Sequence, residues 1–212
     1  GKAAWGLKAD TGKSVYDELD LTRIVKAAPA SREMPLVTLT GRKIPPAMRE
    51  FVLAMLEKGH PVMMAYKYWS GPKLVPVSAS GTWGGSMIRL DVRRDRLMPV
   101  FGRYRGAALR TAWATKPYSE LNLHFRWDTA SVVDRADRAE ISVWRRQLPR
   151  GEAAVTDITL RRAQRFKAKP GQTFRWTLGK KSGAVTADGD GLVTIRGVAL
   201  SETPTKLVVS RK

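Results

Sequence analysis

Apolar positions follow a helical period near the start of the chain and a strand period through its second half. Leu21, Ile24, Val25 and Ala28 fall on one side of a helix predicted over Asp17–Ala28. Asp17, Glu18 and Asp20 stand in its first turn, where negative charge suits the helix dipole, and Pro29 closes it. Residues 1–14 have no clear period and read as an entry loop. Met34–Thr40 is a short apolar run rich in valine and threonine, the pattern of a buried strand. A turn over Gly41–Pro45 leads to a second helix opened by Pro46, whose missing N–H is harmless in a first turn. Phe51, Val52, Met55 and Leu56 form its apolar face, and Gly59 supplies its stop. Pro61–Tyr68 then reads as a further buried strand. Strand, helix and strand within this span predict a βαβ unit with a parallel strand pair and a right-handed crossover.

Beyond Ser70 glycine and proline become frequent, and alternation replaces the helical period. Ser86–Val92 alternates, as do Leu121, Leu123, Phe125 and Trp127, then Ile141 and Val143. Val155, Ile158 and Leu160 follow less regularly, and Phe174, Trp176 and Leu178 alternate cleanly. Gly191–Gly197 and Lys206–Ser210 complete the set. Short strands separated by turn residues such as Lys169-Pro170-Gly171 predict an antiparallel sandwich. The fold class expected is α+β: an α/β segment over residues 1–75 and a β-rich, sandwich-like domain over 76–212, with the boundary between 70 and 120. No internal repeat is visible.

Charge changes this picture most. The 212 residues hold 38 lysines and arginines against 19 acids, a net charge of +19. Residues 1–100 carry net +7 and residues 101–212 net +12. The densest stretch runs from Arg145 to Lys181, where only Glu152 and Asp157 oppose the cations. Such a field attracts polyanions, whether nucleic acid, acidic polysaccharide or anionic surface. The alternative is a basic surface that serves solubility. Candidate binding residues are Arg145, Arg146, Arg161, Arg162, Arg165, Lys167, Lys169 and Arg175. Trp127 and Trp144, each beside charge, could stack on bases or sugars, although core packing uses the same residues. With no cysteine, disulfides and thiolate metal sites are excluded. No apolar run reaches the length of about 18 residues that a membrane helix needs. The chain opens on Gly1 rather than methionine, so a processed start, a truncated start or a tag remnant is expected, and in a fragment the missing function would lie upstream.

Catalytic chemistry is thin. His60 and His124 are the only histidines, a poor inventory for a metal site, and no metal or cofactor is expected. His60 follows the helix stop and suits a cap or turn; His124 suits a sheet surface. Ser80 and Ser86 lie in a glycine-rich loop followed by a strand, not in the strand-to-helix elbow that exposes a nucleophile. Asp188-Gly189-Asp190-Gly191 resembles part of a calcium loop, but the distal glutamate is missing and a tight turn fits better. Asp128 with Asp134 or Glu140 could form a glycosidase-type carboxylate pair if held roughly 5–9 Å apart.

The run Met34-Pro35-Leu36-Val37-Thr38-Leu39-Thr40-Gly41-Arg42, the helix after it and the strand ending Tyr66-Lys67-Tyr68-Trp69-Ser70-Gly71 resemble the closing strands of α/β-hydrolases. Downstream, Leu90-Asp91-Val92-Arg93-Arg94-Asp95, Trp127-Asp128, Val133-Asp134, Arg161-Arg162, Pro170-Gly171 and Phe174-Arg175-Trp176 look like the C-terminal extensions of secreted bacterial hydrolase-like proteins. The resemblance implies an α/β-hydrolase-like βαβ segment, an immunoglobulin-like sandwich and a secreted or periplasmic location. It carries no catalytic residue. The loop Arg42-Lys43-Ile44-Pro45 has no carboxylate where the triad acid would stand, and Ser70-Gly71-Pro72-Lys73 has no histidine. The expectation is a noncatalytic C-terminal portion of a hydrolase-like protein, serving packing, substrate positioning or attachment to an anionic polymer. Its partners would be that polymer and the upstream part of its own chain. The alternatives are a nucleic-acid-binding module and a hydrolase acting on esters or glycosides.

Overall fold

In the computed structural model, the described residues are 8, 10–12, 14, 20–40, 46–65, 74–76, 88–90, 92–105, 120–122, 125–145 and 155–211. Among the described residues two helices are seen, α1 (Leu21–Ala27) and α2 (Pro46–Glu57). Asp20 caps α1: its Oδ1 accepts hydrogen bonds from the amides of Thr22 (2.9 Å) and Arg23 (3.3 Å). Helix α2 ends where Gly59 takes φ +62°, a conformation that a side chain would strain. That turn lets the Gly59 amide reach Leu56 O at 3.1 Å and the His60 amide reach Met55 O at 2.8 Å.

Thirteen strands follow in chain order among the described residues. They are β1 (Val37–Thr40), β2 (Val62–Ala65), β3 (Leu74–Pro76), β4 (Ile88–Leu90), β5 (Met98–Arg105), β6 (Glu120–Leu121), β7 (Phe125–Asp134) and β8 (Arg138–Arg145), then β9 (Val155–Arg161), β10 (Thr173–Leu178), β11 (Lys181–Thr186), β12 (Thr194–Ala199) and β13 (Thr205–Arg211). The core of the molecule is a sandwich of two strictly antiparallel sheets, ordered β11-β10-β13-β8-β7 and β12-β9-β5. Alternation sends one face of each sheet inward. Ile141 and Val143 on β8, Phe174 and Leu178 on β10, and Leu207 and Val209 on β13 face Phe101 on β5, Ile158 on β9 and Ile195 on β12 in one buried cluster. Aromatic pairs knit it: Phe101 stacks on Phe125 with centroids 4.7 Å apart, and Phe166 meets Phe174 at 5.1 Å.

A second, smaller cluster of Val25, Phe51, Val52, Ala54, Met55 and Val62 joins the helices to the sheet β1-β2-β6. Here β1 runs parallel to β2, while β6 joins β2 antiparallel. A two-stranded ladder, β3-β4, completes the described sheets.

These sheets correct the hydrolase resemblance and the fold class built on it. An α/β-hydrolase needs a mixed, mostly parallel central sheet. Here parallel pairing among the described strands is confined to β1–β2 and the three-residue β3–β4 ladder. Every pairing in the two large sheets is antiparallel, so the dominant architecture is a β-sandwich, and the hydrolase-like labels fall with the parallel core. The immunoglobulin-like description is corrected too. The sheets divide five to three, against the four-plus-three division of a constant-type immunoglobulin domain.

Three strands, β3, β5 and β11, had escaped the sequence pattern. Pro99 sits inside β5, which tolerates it as the edge strand of its sheet. Strand β11 (Lys-Ser-Gly-Ala-Val-Thr) is mostly exposed and carries no alternating apolar signal. Leu121 and Phe125, one run by alternation, belong to different sheets because Asn122 breaks the strand at φ +59°.

Phe174 is fully buried between the sheets. Phe174→Ala is expected to lower the unfolding free energy by about 3–5 kcal/mol, the usual range for emptying an aromatic core site, as read by urea denaturation.

Candidate functional site

The outer face of the three-stranded sheet is not free. The C-terminal end of α2 meets it through Arg161, which projects from β9 with 1% of its surface exposed. Its Nε donates to Gly59 O at 2.9 Å and its Nη2 to Lys58 O at 2.7 Å. Those carbonyls belong to the helix end, where acceptors lack intrahelical partners and the dipole favours a cation. Nη1 lies 4.0 Å from Glu33 Oε1 and makes no hydrogen bond. Burial pushes the guanidinium below its ordinary value, and Glu33, Asp188 and Asp190 act in the opposite direction. Arg162, at φ +60°, continues the join. Its Nη1 donates to Arg93 O at 3.0 Å, its Nη2 to Met34 O at 2.9 Å, and its amide to Glu33 Oε1 at 3.2 Å. Both arginines of the expected basic patch therefore turn inward.

His60 sits at this junction, fully buried, with neither ring nitrogen hydrogen-bonded to the protein. Burial, then the charges of Arg161 and Lys58, lower its pKa to about 4. The ring is neutral at pH 7, and no nucleophile shares a hydrogen bond with it. Beside the helix end a cleft of about 100 Å³ is lined by Lys58, Asp157, Thr159, Asp188, Thr194 and Arg196. Its charges are mixed. The Asp157 carboxylate accepts from the Gly197 amide at 2.8 Å, and the Thr159 and Thr194 hydroxyls meet at 2.9 Å.

The remaining cations gather elsewhere, at one end of the five-stranded sheet. The β7–β8 turn brings Arg135 and Arg138 together through reciprocal backbone hydrogen bonds. The end of β13 adds Arg211, whose amide donates to Asp137 O at 2.9 Å and whose Nη2 reaches Lys167 O at 3.5 Å. Lys167 and Arg165 come from the loop after β9 and are exposed, as is Lys169. On the outer face of the same sheet Arg175 stands opposite Ser210, which stands opposite Arg138. Two of the nearby carboxylates, Asp134 and Glu140, are engaged, while Asp137 in the β7–β8 turn is exposed. Asp134 accepts from the amides of Gln164, Arg165 (3.2 Å) and Phe166 (2.7 Å). Glu140, 7% exposed, is gripped by Arg138 Nε and by Lys206 Nζ at 3.1 Å. Burial raises the Glu140 pKa, but the hydrogen bonds from Lys206 and Arg138 more than offset it and hold the carboxylate ionised. That is the opposite of what a glycosidase acid requires.

The other sequence candidates scatter. Arg145 donates Nε to Leu200 O at 3.1 Å and pairs with Glu202 at 3.2 Å, away from the Arg138 end of β8. Trp127 packs against the sandwich core, 6.2 Å from Phe101. Trp144 is half-buried on the outer sheet face, opposite Arg126. The Asp128 carboxylate accepts from the Ala130 amide at 2.9 Å. Asp188 closes a local turn, accepting from the amides of Asp190 (3.0 Å) and Leu192 (2.9 Å). No group of three metal-ligating side chains exists among the described residues. Arg146, His124, Ser80 and Ser86 lie outside the described residues. Sequence reasoning missed Arg135, Arg138 and Arg211 because they are distant from the dense Arg145–Lys181 stretch. Only the pairing of β7, β8 and β13 unites them with it.

No helix among the described residues is long and apolar enough to cross a membrane. No family model, no curated protein and no solved structure matches this chain.

Removing the Arg161 side chain strands two helix-end carbonyls in a buried place. Arg161→Ala should cost about 3 kcal/mol in urea unfolding, since each buried unpaired group costs about 1–3 kcal/mol. Arg161→Lys should recover only part of that loss, because an ammonium cannot fork to both oxygens in one plane.

The His60 environment sets a pH dependence of known sign. An unfolded histidine takes up a proton near its ordinary value of 6.5, whereas folded His60 resists until about 4. Between those values the unfolded state binds more protons, so its contribution to stability is full above 6.5 and declines as pH falls. The slope is at most about 1.4 kcal/mol per pH unit. His60→Met should flatten that part of the profile when urea midpoints are compared at pH 7, 5.5 and 4.5.

Proposed function

We propose that this chain is a noncatalytic module that holds an acidic polysaccharide against the basic end of its five-stranded sheet. The observation that carries this reading is convergence. Arg135, Arg138, Arg165, Lys167, Arg175 and Arg211 come from four separate segments and meet at one end and one face. Asp134 and Glu140 are tied into local hydrogen bonds, and together with the exposed Asp137 of the β7–β8 turn they leave the six cations in excess. A patch that keeps its positive field after internal pairing attracts a polyanion over distances set by the Debye length.

Among the described residues the aromatic side chains favour polysaccharide over single-stranded nucleic acid, Trp5, Trp69, Trp83 and Trp113 lying outside them. Base recognition in single strands leans on exposed stacking platforms. Trp127 and Trp176 pack against the core, and Trp144 stands six residues along β8 from Arg138, roughly 20 Å at strand rise. Sulfate and carboxylate groups need only the guanidinium forks and ammonium groups present.

Heparin, duplex DNA and a neutral polysaccharide titrated across a salt series test the reading. Heparin should bind with an affinity that falls steeply with salt, and the neutral polymer should not bind. The triple variant Arg165→Ala, Lys167→Ala, Arg211→Ala should weaken heparin at least about tenfold and flatten its salt slope, while Arg196→Ala, outside the cluster, should change little. Unchanged heparin binding in the triple variant would refute the assignment. Tighter binding to duplex DNA than to heparin, with a slope near −0.9 per phosphate contacted, would transfer it to nucleic acid.

A further inference from the structure

Among the described strands the sandwich has four edges, and they are not alike. On β7 the register with β8 breaks between Asp128 and Val133; on β12 it breaks between Ile195 and Val198, where Gly197 takes φ +66°. On β5 it breaks between Gly102 and Arg105. Such irregularities blunt an edge against pairing with a further strand. Only β11 pairs with its neighbour without interruption, from Lys181 opposite Leu178 to Thr186 opposite Thr173. It contains no proline, and five of its six residues are exposed.

The direction of its free backbone groups follows from the turn. Gly179 (φ +58°) and Lys180 form a two-residue hairpin, so Leu178 and Lys181 exchange both hydrogen bonds. Alternation then turns Lys181, Gly183 and Val185 toward β10. The Ala187 amide donating to Gln172 O at 2.9 Å fits the same phase. Ser182, Ala184 and Thr186 therefore point their N–H and C=O groups away from the sheet, about 6.8 Å apart.

The flanking chemistry selects a partner. From Gln172 to Ala187 the hairpin holds Arg175, Lys180 and Lys181 and no acid. Lys180 and Lys181 are exposed at its tip, and Arg175 stands beside Ala184 on the outer face. On the other face the Trp176 indole lies over Gly183, so close that a Cβ there would stand 2.9 Å from Nε1. The half-buried ring thereby reaches over the edge strand and offers an apolar contact to a side chain arriving next to Gly183.

We propose that β11 is a docking edge for an extended acidic peptide segment, which adds as a sixth strand beside Ser182, Ala184 and Thr186. Main-chain hydrogen bonds supply the register, Lys180, Lys181 and Arg175 select acidic side chains, and the Trp176 ring takes one apolar side chain.

The test uses a ten-residue peptide alternating glutamate and valine, followed by amide hydrogen exchange of the whole chain. The peptide should slow exchange at Ser182, Ala184 and Thr186 at least about tenfold without protecting the outer amides of β7 or β12. A lysine–valine peptide of the same length should not. Ala184→Pro removes one outward N–H that the native ladder does not use, so it should abolish the protection while leaving heparin binding intact. If that variant fails to fold, the glutamate–valine peptide N-methylated at alternate residues takes its place and should give no protection to the wild-type chain. Equal protection by the lysine peptide, full binding by Ala184→Pro or by the methylated peptide, or no protection at all would overturn the proposal.

Discussion

Arg161 stands at the centre of the join between the two halves of this structure, which Arg162 continues. Arg161 lies on the outer face of the three-stranded sheet and places two donors on the carbonyls that end α2. A lysine at that position would bring a point charge, but the planar fork can satisfy Lys58 O and Gly59 O together. The contact also explains the local backbone. Gly59 must take φ +62° to turn its carbonyl and that of Lys58 toward the sheet, and a Cβ there would stand 3.4 Å from the Thr159 hydroxyl and 3.8 Å from Arg161 Nη2. His60 follows from the same geometry. Once the helix end is seated beside a buried guanidinium, a protonated imidazole in that place would add a second buried cation, so the ring stays neutral.

With that join made, each sheet of the sandwich has a different relation to solvent. The three-stranded sheet is covered inside by the larger sheet and outside, at Arg161 and Thr159, by the helical layer. Among the described residues, the outer face of the five-stranded sheet is exposed at Arg138, Arg175 and Lys206, which stand among short side chains such as Ser142, Thr177 and Ser210. A carboxylate on that face, Glu140, is buried beneath two cations rather than standing against them.

Local patterns carried the elements well where burial was one-sided. The alternation of Phe174, Trp176 and Leu178 marks β10, and the apolar face ending at Gly59 marks α2, because each buries one face against a core. They failed where tertiary context replaced alternation. Strand β5 is covered on both faces around Pro99 and Val100, and β11 is exposed at all its residues but Val185. The hydrolase resemblance failed for a related reason. A strand, a helix and a strand specify a local parallel pair, but the number and direction of the strands beyond that pair are fixed by contacts distant in sequence. The site was legible only in outline. Charge density pointed to Arg165, Lys167 and Arg175, yet Arg161 and Arg162 look the same in sequence and are spent on internal carbonyls. What separates them is the phase of β9 and the turn at Arg162, which sequence spacing alone does not reveal.

The two proposed surfaces share a physical logic. A net charge of +19 repels a second copy of the chain at any approach that is not specifically paired, and that repulsion protects a regular edge such as β11 from self-association. The edge strands β5, β7 and β12 carry bulges or breaks that protect them by geometry instead. An edge guarded by charge alone remains open to a strand of opposite sign, because the same field that repels copies draws acidic chains in. On the two proposals charge therefore acts twice on this sandwich: at the Arg138–Arg211 end as a surface for polyanions, and along β11 as a filter for the strand that would complete the sheet.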